Sequence, residues 1–319
     1  MTSSYSSPVR LPEPGPGNVW DADVTLSKTD AASLIDRQFP ELAPAQLESW
    51  GEGWDNWAYL VNGQYVFRFP RRQIGAALIE REIRSLPHIA QYLSQPVPTP
   101  QFIGVPQNGY PYPFMAYPVL SGVTACRMNW TDELRAANAI PLARLLAALH
   151  RTPVDAETLR WAPTDEIERA KIRKRAPMVI ERLRAVAPKV IDIDVEALID
   201  LVERLSGTES YHGPPCWVHG DLYARHLLVD RDYRLCGVID WGDVHIGDPA
   251  LDISIAISFL SPSARALFQE AYGPIDAATW DRARFKAIHY GPPLIEYGLD
   301  VGDDAMRAAG EYALRMAAL

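Results

Sequence analysis

Two aspartates, Asp221 and Asp240, stand 19 residues apart in the run W-V-H-G-D-L-Y-A-R-H-L-L-V-D and the R-L-C-G-V-I-D-W-G-D-V-H-I-G-D-P-A-L-D that follows it. Between them, Leu227-Leu228-Val229 and Leu235 to Ile239 read as short buried strands, and Asp230 to Tyr233 supply the turn. His219 to His226 form a polar loop that leads into the first strand. Pairing the strands would set one carboxylate on each side of a hairpin. Hard cations take oxygen ligands, and a transferred phosphoryl group needs its charge neutralised, so paired carboxylates at strand ends suit a magnesium and phosphate site. Asp248 and Asp252 are read more locally, because G-D-P before the apolar run Ile253 to Leu260 has the chemistry of a turn and a helix cap.

The elements that must carry this chemistry begin with a helix after Ser27, whose apolar positions Ala31, Leu34, Ile35 and Phe39 follow a helical period with Ser27 as N-cap. Pro40 and Pro44 end it. Leu47 to Trp50, Trp57 to Val61 and Gln64 to Phe69 then read as three antiparallel strands, the last two joined by the hairpin dipeptide Asn62-Gly63. Strand alternation puts Val66, Arg68 and Pro70 on one face and Phe67 and Phe69 on the other. In the next helix Ile79, Ile83, Leu86, Ala90 and Leu93 form an apolar stripe with Glu82 at its flank, so Glu82 is expected to pair with Arg68, with Glu80 as the alternative.

Prolines around Phe102 to Val105 and Phe114 to Leu120 limit those pieces to short edge-like strands. The pattern then turns helical: Thr131 to His150, Asp165 to Ala187, Asp194 to Ser206, Pro262 to Tyr272, Ala277 to Tyr290 and Met306 to Ala318. His150 at a helix C-terminus reads as structural. Glu296 to Asp304 reads as an acidic, aromatic loop, either a contact for an amino-sugar cation or a solvated turn.

H-G-D-L-x-x-x-H followed by I-D-W and G-D-P-x-x-D resembles the catalytic and metal loops of the antibiotic phosphotransferases, the aminoglycoside and macrolide kinases of protein-kinase-like fold. The resemblance implies that Asp221 orients the attacking hydroxyl and that Asp240 holds Mg2+. It puts His226 where these enzymes commonly carry a metal-binding Asn; the macrolide kinases carry His there too. V-F-R-F-P-R-R is similar to the third strand of macrolide kinases, which makes Arg68 the cation for the nucleotide phosphates in place of the usual Lys. By position, the turn Gly51-Glu52-Gly53-Trp54-Asp55-Asn56 would cover those phosphates through its backbone amides, Gly51 and Gly53 included. Ala116 to Val119 would be the linker whose backbone reads the purine edge.

A chain of 319 residues with 48% hydrophobic content accommodates two lobes with a sizeable core. The expected fold is therefore α+β and two-lobed, with a leader over 1–18, an antiparallel-sheet nucleotide lobe over 19–120, and a mainly helical lobe over 121–319 that carries the catalytic loop and the acceptor site. The net charge of -9 argues against nucleic acid and suits a cationic small molecule. Cys126, Cys216 and Cys236 are odd in number and have no C-x-x-C spacing, which fits reduced thiols in a cytoplasm. No apolar run reaches membrane-spanning length, and neither a Walker A motif nor a nucleophile elbow occurs. The reading is a monomeric kinase that passes the γ-phosphoryl group of GTP or ATP to a hydroxyl of a small molecule. The motifs favour a macrolide 2'-hydroxyl, with an aminoglycoside or a small metabolite as alternatives; a nucleotide-binding pseudokinase is the alternative from another class.

Overall fold

The computed structural model describes residues 22–52 and 55–319. The leader expected over 1–18 and Gly53 of the glycine turn lie outside the described residues. The chain forms two compact units. One comprises residues up to Gln91, Val97–Leu120 and Asp240–Val244; the other comprises Tyr92–Pro96, Ser121–Ile239 and His245–Leu319.

In the first unit, α1 (Lys28–Gln38) starts where the Ser27 hydroxyl oxygen accepts the Asp30 amide at 3.1 Å, the expected cap. Strands β1 (Leu47–Glu52), β2 (Asn56–Val61) and β3 (Tyr65–Pro70) are followed by α2 (Gln73–Ile89), β4 (Phe102–Gly104) and β5 (Phe114–Pro118). They form one antiparallel sheet in the order β1-β2-β3-β5-β4. Asn62 (φ 52) and Gly63 (φ 65) supply the left-handed turn between β2 and β3. The Asn62 side chain locks that turn, accepting from the Gln46 amide and donating to the Leu42 carbonyl, each at 2.8 Å.

Alternation along β3 sorts its side chains as expected. Phe67 and Phe69 enter an aromatic core with Phe114, while Val66 packs with Ile79, Met115 and Tyr117 on the other face. Burying each of these rings contributes roughly 1.5–3 kcal/mol. One expectation is corrected. β5 lies between β3 and β4 rather than at an edge, because Pro113 precedes it and Pro118 is its last residue, which leaves Phe114 to Tyr117 with every amide available for pairing.

The second unit opens with β6 (Val123–Thr124), α3 (Asp132–Ala137) and α4 (Ala139–His150). It continues through α5 (Thr158–Trp161), α6 (Ile172–Val186), α7 (Val195–Leu205), β7 (Cys216–Val218), β8 (Leu227–Val229), β9 (Leu235–Val238) and β10 (His245–Gly247). Helices α8 (Ala250–Ile253), α9 (Ile255–Ser258), α10 (Arg265–Tyr272), α11 (Ala277–Val301) and α12 (Asp304–Ala318) complete it. The expected β8–β9 hairpin is present, with β6 beside β8, and β7 pairs separately with β10. Asn138, at the break between α3 and α4, holds the hairpin turn: its Oδ1 accepts from the Leu235 amide at 2.9 Å and its Nδ2 donates to the Tyr233 carbonyl at 2.8 Å.

Two helical boundaries differ from expectation. α6 begins at Ile172 rather than near Asp165, since Asp165 Oδ2 accepts the Ala170 amide and Glu168 takes a left-handed φ of 56, both loop conformations. α11 runs unbroken to Val301 through Pro292 and Pro293, so most of the expected loop over 296–304 is helix. Packing accounts for its persistence: a Cβ on Gly291 would stand 2.4 Å from the Leu314 side chain, and one on Gly310 would stand 2.7 Å from the Gly291 carbonyl. Only glycines permit so close a crossing with α12, and that contact compensates for the two amides the prolines lack. Gly302 (φ 69) makes the turn, and Asp303 caps α12 by accepting the Met306 amide at 3.1 Å. Among the described residues no helix is long and apolar enough to cross a membrane.

Candidate active site

In the first unit the β3–α2 arrangement brings Arg68 against Glu82. Arg68 Nη1 donates to both Glu82 carboxylate oxygens, at 2.6 and 2.7 Å, and Arg68 Nη2 donates to Asp240 Oδ1 at 3.3 Å. Glu82 is completely buried and the Arg68 side chain is 11% exposed, whereas Asp240 is 51% exposed. Burial alone would lower the Arg68 guanidinium; the charges of Glu82 and Asp240 overcome it and hold the group above its ordinary value. Arg68 is thus a fixed cation with one side tied down, and Asp240 is an open carboxylate. Asp240 itself takes a left-handed φ of 63, a conformation that Asp tolerates better than most residues.

The glycine turn is anchored at its far end, where Arg72 pairs with Asp55 and the Asp55 carbonyl accepts the Arg71 amide at 2.8 Å. A Cβ on Gly75 would stand 2.5 Å from that same carbonyl, so the first turn of α2 closes directly on the loop. Gly51 sits at a bulge where Trp50 is the extra residue, and a Cβ there would meet nothing within 4 Å. Along the expected purine-reading segment, the Ala116 carbonyl already accepts the Gln101 amide at 2.7 Å, and the Val119 amide donates to the Gln64 carbonyl at 2.8 Å.

The second unit holds Asp221 and His226. Asp252 is the anchor of their loop, and its expected role as a helix cap is corrected. It is fully buried and accepts the His219 amide at 2.8 Å and the Gly220 amide at 2.9 Å, with His150 Nε2 at 3.0 Å. Burial pushes the Asp252 carboxyl up, but His150, His219 and the Gly220 amide outweigh it and hold the group below its ordinary value. Asp248 holds the turn before α8, accepting the Ala250 amide at 2.9 Å, while Pro249 is the N-cap, and it also pairs with buried Arg282 at 2.6 Å.

His219 is buried and neutral, its protonation lowered chiefly by desolvation. Its Nε2 donates to the Ile239 carbonyl at 3.0 Å and its Nδ1 accepts the Asp221 amide at 3.3 Å, which fixes the tautomer and the backbone of Asp221. His226 Nδ1 donates to the Asp221 carbonyl at 2.7 Å, so Nε2 is its basic nitrogen. The Tyr223 ring lies tilted against His226 with centroids 4.2 Å apart and reaches Tyr290 of α11 at 5.3 Å.

Tyr290 was not legible as a site residue. Its hydroxyl is buried toward the Asp221 carboxylate, and Lys286 Nζ lies 4.1 Å from its ring centroid. Burial first, then the charge of Asp221, pushes the phenol well above its ordinary value, so it remains protonated. The structure therefore gathers Arg68, Glu82 and Asp240 in one unit and Asp221, His226 and Tyr290 in the other. Asp252 could have been suspected from the second Asp of G-D-P-x-x-D; Tyr290 belongs to no motif.

A family model described as the phosphotransferase enzyme family matches residues 46–286, a span that contains Arg68, Glu82, Asp221, His226 and Asp240. The chain belongs to that family, the enzyme class its motifs resemble. Among solved structures, the GDP complex of an aminoglycoside 2'-phosphotransferase is 24% identical with a TM-score of 0.67, covering 92% of this chain and 99% of that one. The apoenzyme of a macrolide 2'-phosphotransferase from Brachybacterium faecium is 23% identical with a TM-score of 0.59, covering 90% and 97%. These similarities establish the kinase-like fold, with its antiparallel-sheet N-terminal part and mainly helical remainder. The uncharacterized protein YcbJ of Bacillus subtilis is 25% identical over 100 residues, so the chain spans about a third (32%) of the length of that curated relative.

Proposed function

We propose that this phosphotransferase passes the γ-phosphoryl group of a nucleoside triphosphate to a hydroxyl of a small molecule, and that the acceptor is a macrolide, phosphorylated at its 2'-hydroxyl. The observation that carries the reading is the Arg68 guanidinium, tied on one side to buried Glu82 and reaching Asp240 on the other. A cation so held is preorganised for phosphate oxygens and needs no rearrangement when a nucleotide arrives.

Asp221 accepts the proton of the attacking hydroxyl and orients it, on a backbone fixed by His219 and Asp252. Asp240 fits a magnesium site, being an exposed oxygen donor; Mg2+ takes one or two carboxylates and completes its shell with phosphate oxygens and water. When bound, the ion neutralises charge on the transferring phosphoryl group. The family resemblance gives His226 a metal-ligating or water-orienting role, and its Nδ1 donates to the Asp221 carbonyl at 2.7 Å, which makes Nε2 the basic nitrogen for that role. Relatives are described in complex with GDP and with ATP, which supports a purine nucleotide donor of either kind. The reading places a monomer in the cytoplasm, where its thiols stay reduced; in the structure Cys126, Cys216 and Cys236 form no disulfide.

A second reading has support of its own. One structural relative is described with kanamycin bound, which favours an aminoglycoside acceptor. Nucleoside diphosphate release is measured with GTP and with ATP, in the presence of magnesium, against erythromycin, kanamycin and no acceptor. Release driven by erythromycin supports the macrolide reading, and release driven by kanamycin overturns it in favour of the aminoglycoside. Asp221→Asn should lower transfer by about 10²-fold or more with the melt unchanged; transfer at the wild-type rate would refute its role.

A further inference from the structure

The backbone that carries Asp221 is tied to a chain of hydrogen bonds that starts well outside its loop. Tyr272 is the last residue of α10, and its hydroxyl lies 2.7 Å from Nδ1 of His150, at the C-terminal end of α4. His150 Nε2 lies 3.0 Å from Asp252 Oδ2, which also accepts the His219 amide, while Oδ1 accepts the Gly220 amide. Gly220 takes a left-handed φ of 82, so the chain turns immediately before Asp221 and that amide bond holds the turn. The His150 side chain is 5% exposed and Asp252 is wholly buried, so water competes little for these bonds.

Tyr272 is itself held in place. Its ring stacks on Phe268 with centroids 5.9 Å apart, meets the His150 ring edge-on at 5.7 Å, and its carbonyl accepts from Arg151 Nη2 at 2.8 Å. Burial holds the phenol above its ordinary value, so it keeps its proton and can donate it in a hydrogen bond. An imidazole facing a buried carboxylate must present N–H to it. If the ring turned over, or its proton moved to Nδ1, a lone pair would face Asp252 Oδ2 and repel it. A phenol donating to Nδ1 prevents both rearrangements, because Nδ1 is then engaged as the acceptor and the proton stays on Nε2.

We infer that Tyr272 is a positioning residue for the catalytic loop: it donates to His150 Nδ1, fixes the imidazole with Nε2–H toward Asp252, and thereby sets the His219 and Gly220 amides beside Asp221. Tyr272 touches no part of that loop itself and acts through two side chains in series. Its effect on turnover rests on the proposed role of Asp221; its effect on the loop backbone does not. A tyrosine that merely packs α10 against α4 would contribute to stability and leave both the imidazole proton and the loop amides where they are.

Tyr272→Phe removes one oxygen and keeps the ring, so it separates the two roles. Wild type, Tyr272→Phe, His150→Gln and the double variant of the full chain are compared by nitrogen NMR of labelled histidine, by amide exchange at His219 and Gly220, and by phosphoryl transfer. In wild type the His150 proton should sit on Nε2 with Nδ1 accepting a hydrogen bond, and Tyr272→Phe should erase the hydrogen-bonded Nδ1 signal. Exchange at the two amides should rise about threefold or more, and kcat should fall about three- to tenfold with the nucleotide KM within about twofold of wild type. In the His150→Gln background Tyr272→Phe should change neither exchange nor kcat further, because the chain is already cut. A Tyr272→Phe protein that melts lower but keeps the wild-type exchange and kcat overturns the inference, as do effects of the two substitutions that simply add. If Tyr272→Phe does not fold, the wild-type spectrum decides, since a His150 proton on Nδ1 overturns it. Should wild type transfer phosphate to no acceptor, the kinase reading fails, while the histidine and exchange measurements still decide the role of Tyr272.

Discussion

Replacing Glu82 by Gln tests the central ion pair with the least change of shape. Glu82 is wholly buried and the Arg68 side chain is 11% exposed, so solvent screens little of their attraction. Asp240, at 3.3 Å and 51% exposed, is a poor substitute partner. Removing one member of a buried ion pair costs about 3–5 kcal/mol, because the other charge is left uncompensated. Gln keeps one acceptor for Arg68, which places the loss near the lower end, about 3 kcal/mol. At about 2–4 °C per kcal/mol, the melting temperature should fall by roughly 6–12 °C. Burial pushes the Glu82 carboxyl up, but the charge of Arg68 and its two hydrogen bonds at 2.6 and 2.7 Å oppose that push, so the melt is run at about pH 8, where carboxylates are charged. The KM for nucleotide should rise about tenfold, since Arg68 is no longer aimed. A variant that melts with wild type at that pH would mean the pair is not ionic, and the reasoning about Arg68 would be wrong.

Asp252→Asn should cost about 3 kcal/mol, because an amide can accept from only one of the His219 and Gly220 amides and loses the charge opposite His150. The Asp252 carboxyl is held low in the folded protein, so its contribution is intact above the unfolded carboxylate value of about 3.9 and is lost as the pH falls below it. Acid melts of wild type should steepen in that window more than those of the variant; parallel curves would exclude Asp252 as the charged anchor. Tyr290→Phe removes a buried hydroxyl that faces the Asp221 carboxylate, so kcat should fall about three- to tenfold with the nucleotide KM unchanged. An unchanged kcat would show that the phenol is packing alone.

The parts of this protein that were legible in its sequence are those whose partners lie nearby or whose periodicity is strict. The β2–β3 turn could be read from Asn62-Gly63 because only a left-handed pair closes so short a hairpin. Arg68 could be aimed at α2 because alternation in β3 leaves it one face, and Glu82 could be chosen because one helical turn separates it from Ile79 and Leu86. The misreadings share a cause. G-D-P-x-x-D looks like a cap within its own six residues, but two of the groups that claim Asp252 are 32 and 33 residues earlier and the third is 102 residues earlier. Pro292-Pro293 looks like a helix stop until Gly291 and Gly310 bring α12 into contact, and β5 looks like an edge until its neighbours are known. Tyr290 carries no local signal at all, since what marks it is burial beside Asp221, which lies 69 residues earlier, and that neighbourhood exists only in three dimensions. A sequence motif points to the family well, because phosphoryl transfer needs fixed residue types at fixed loop positions. It says little about the acceptor, because one fold hosts many acceptors and no residue type is required at a fixed place to bind them.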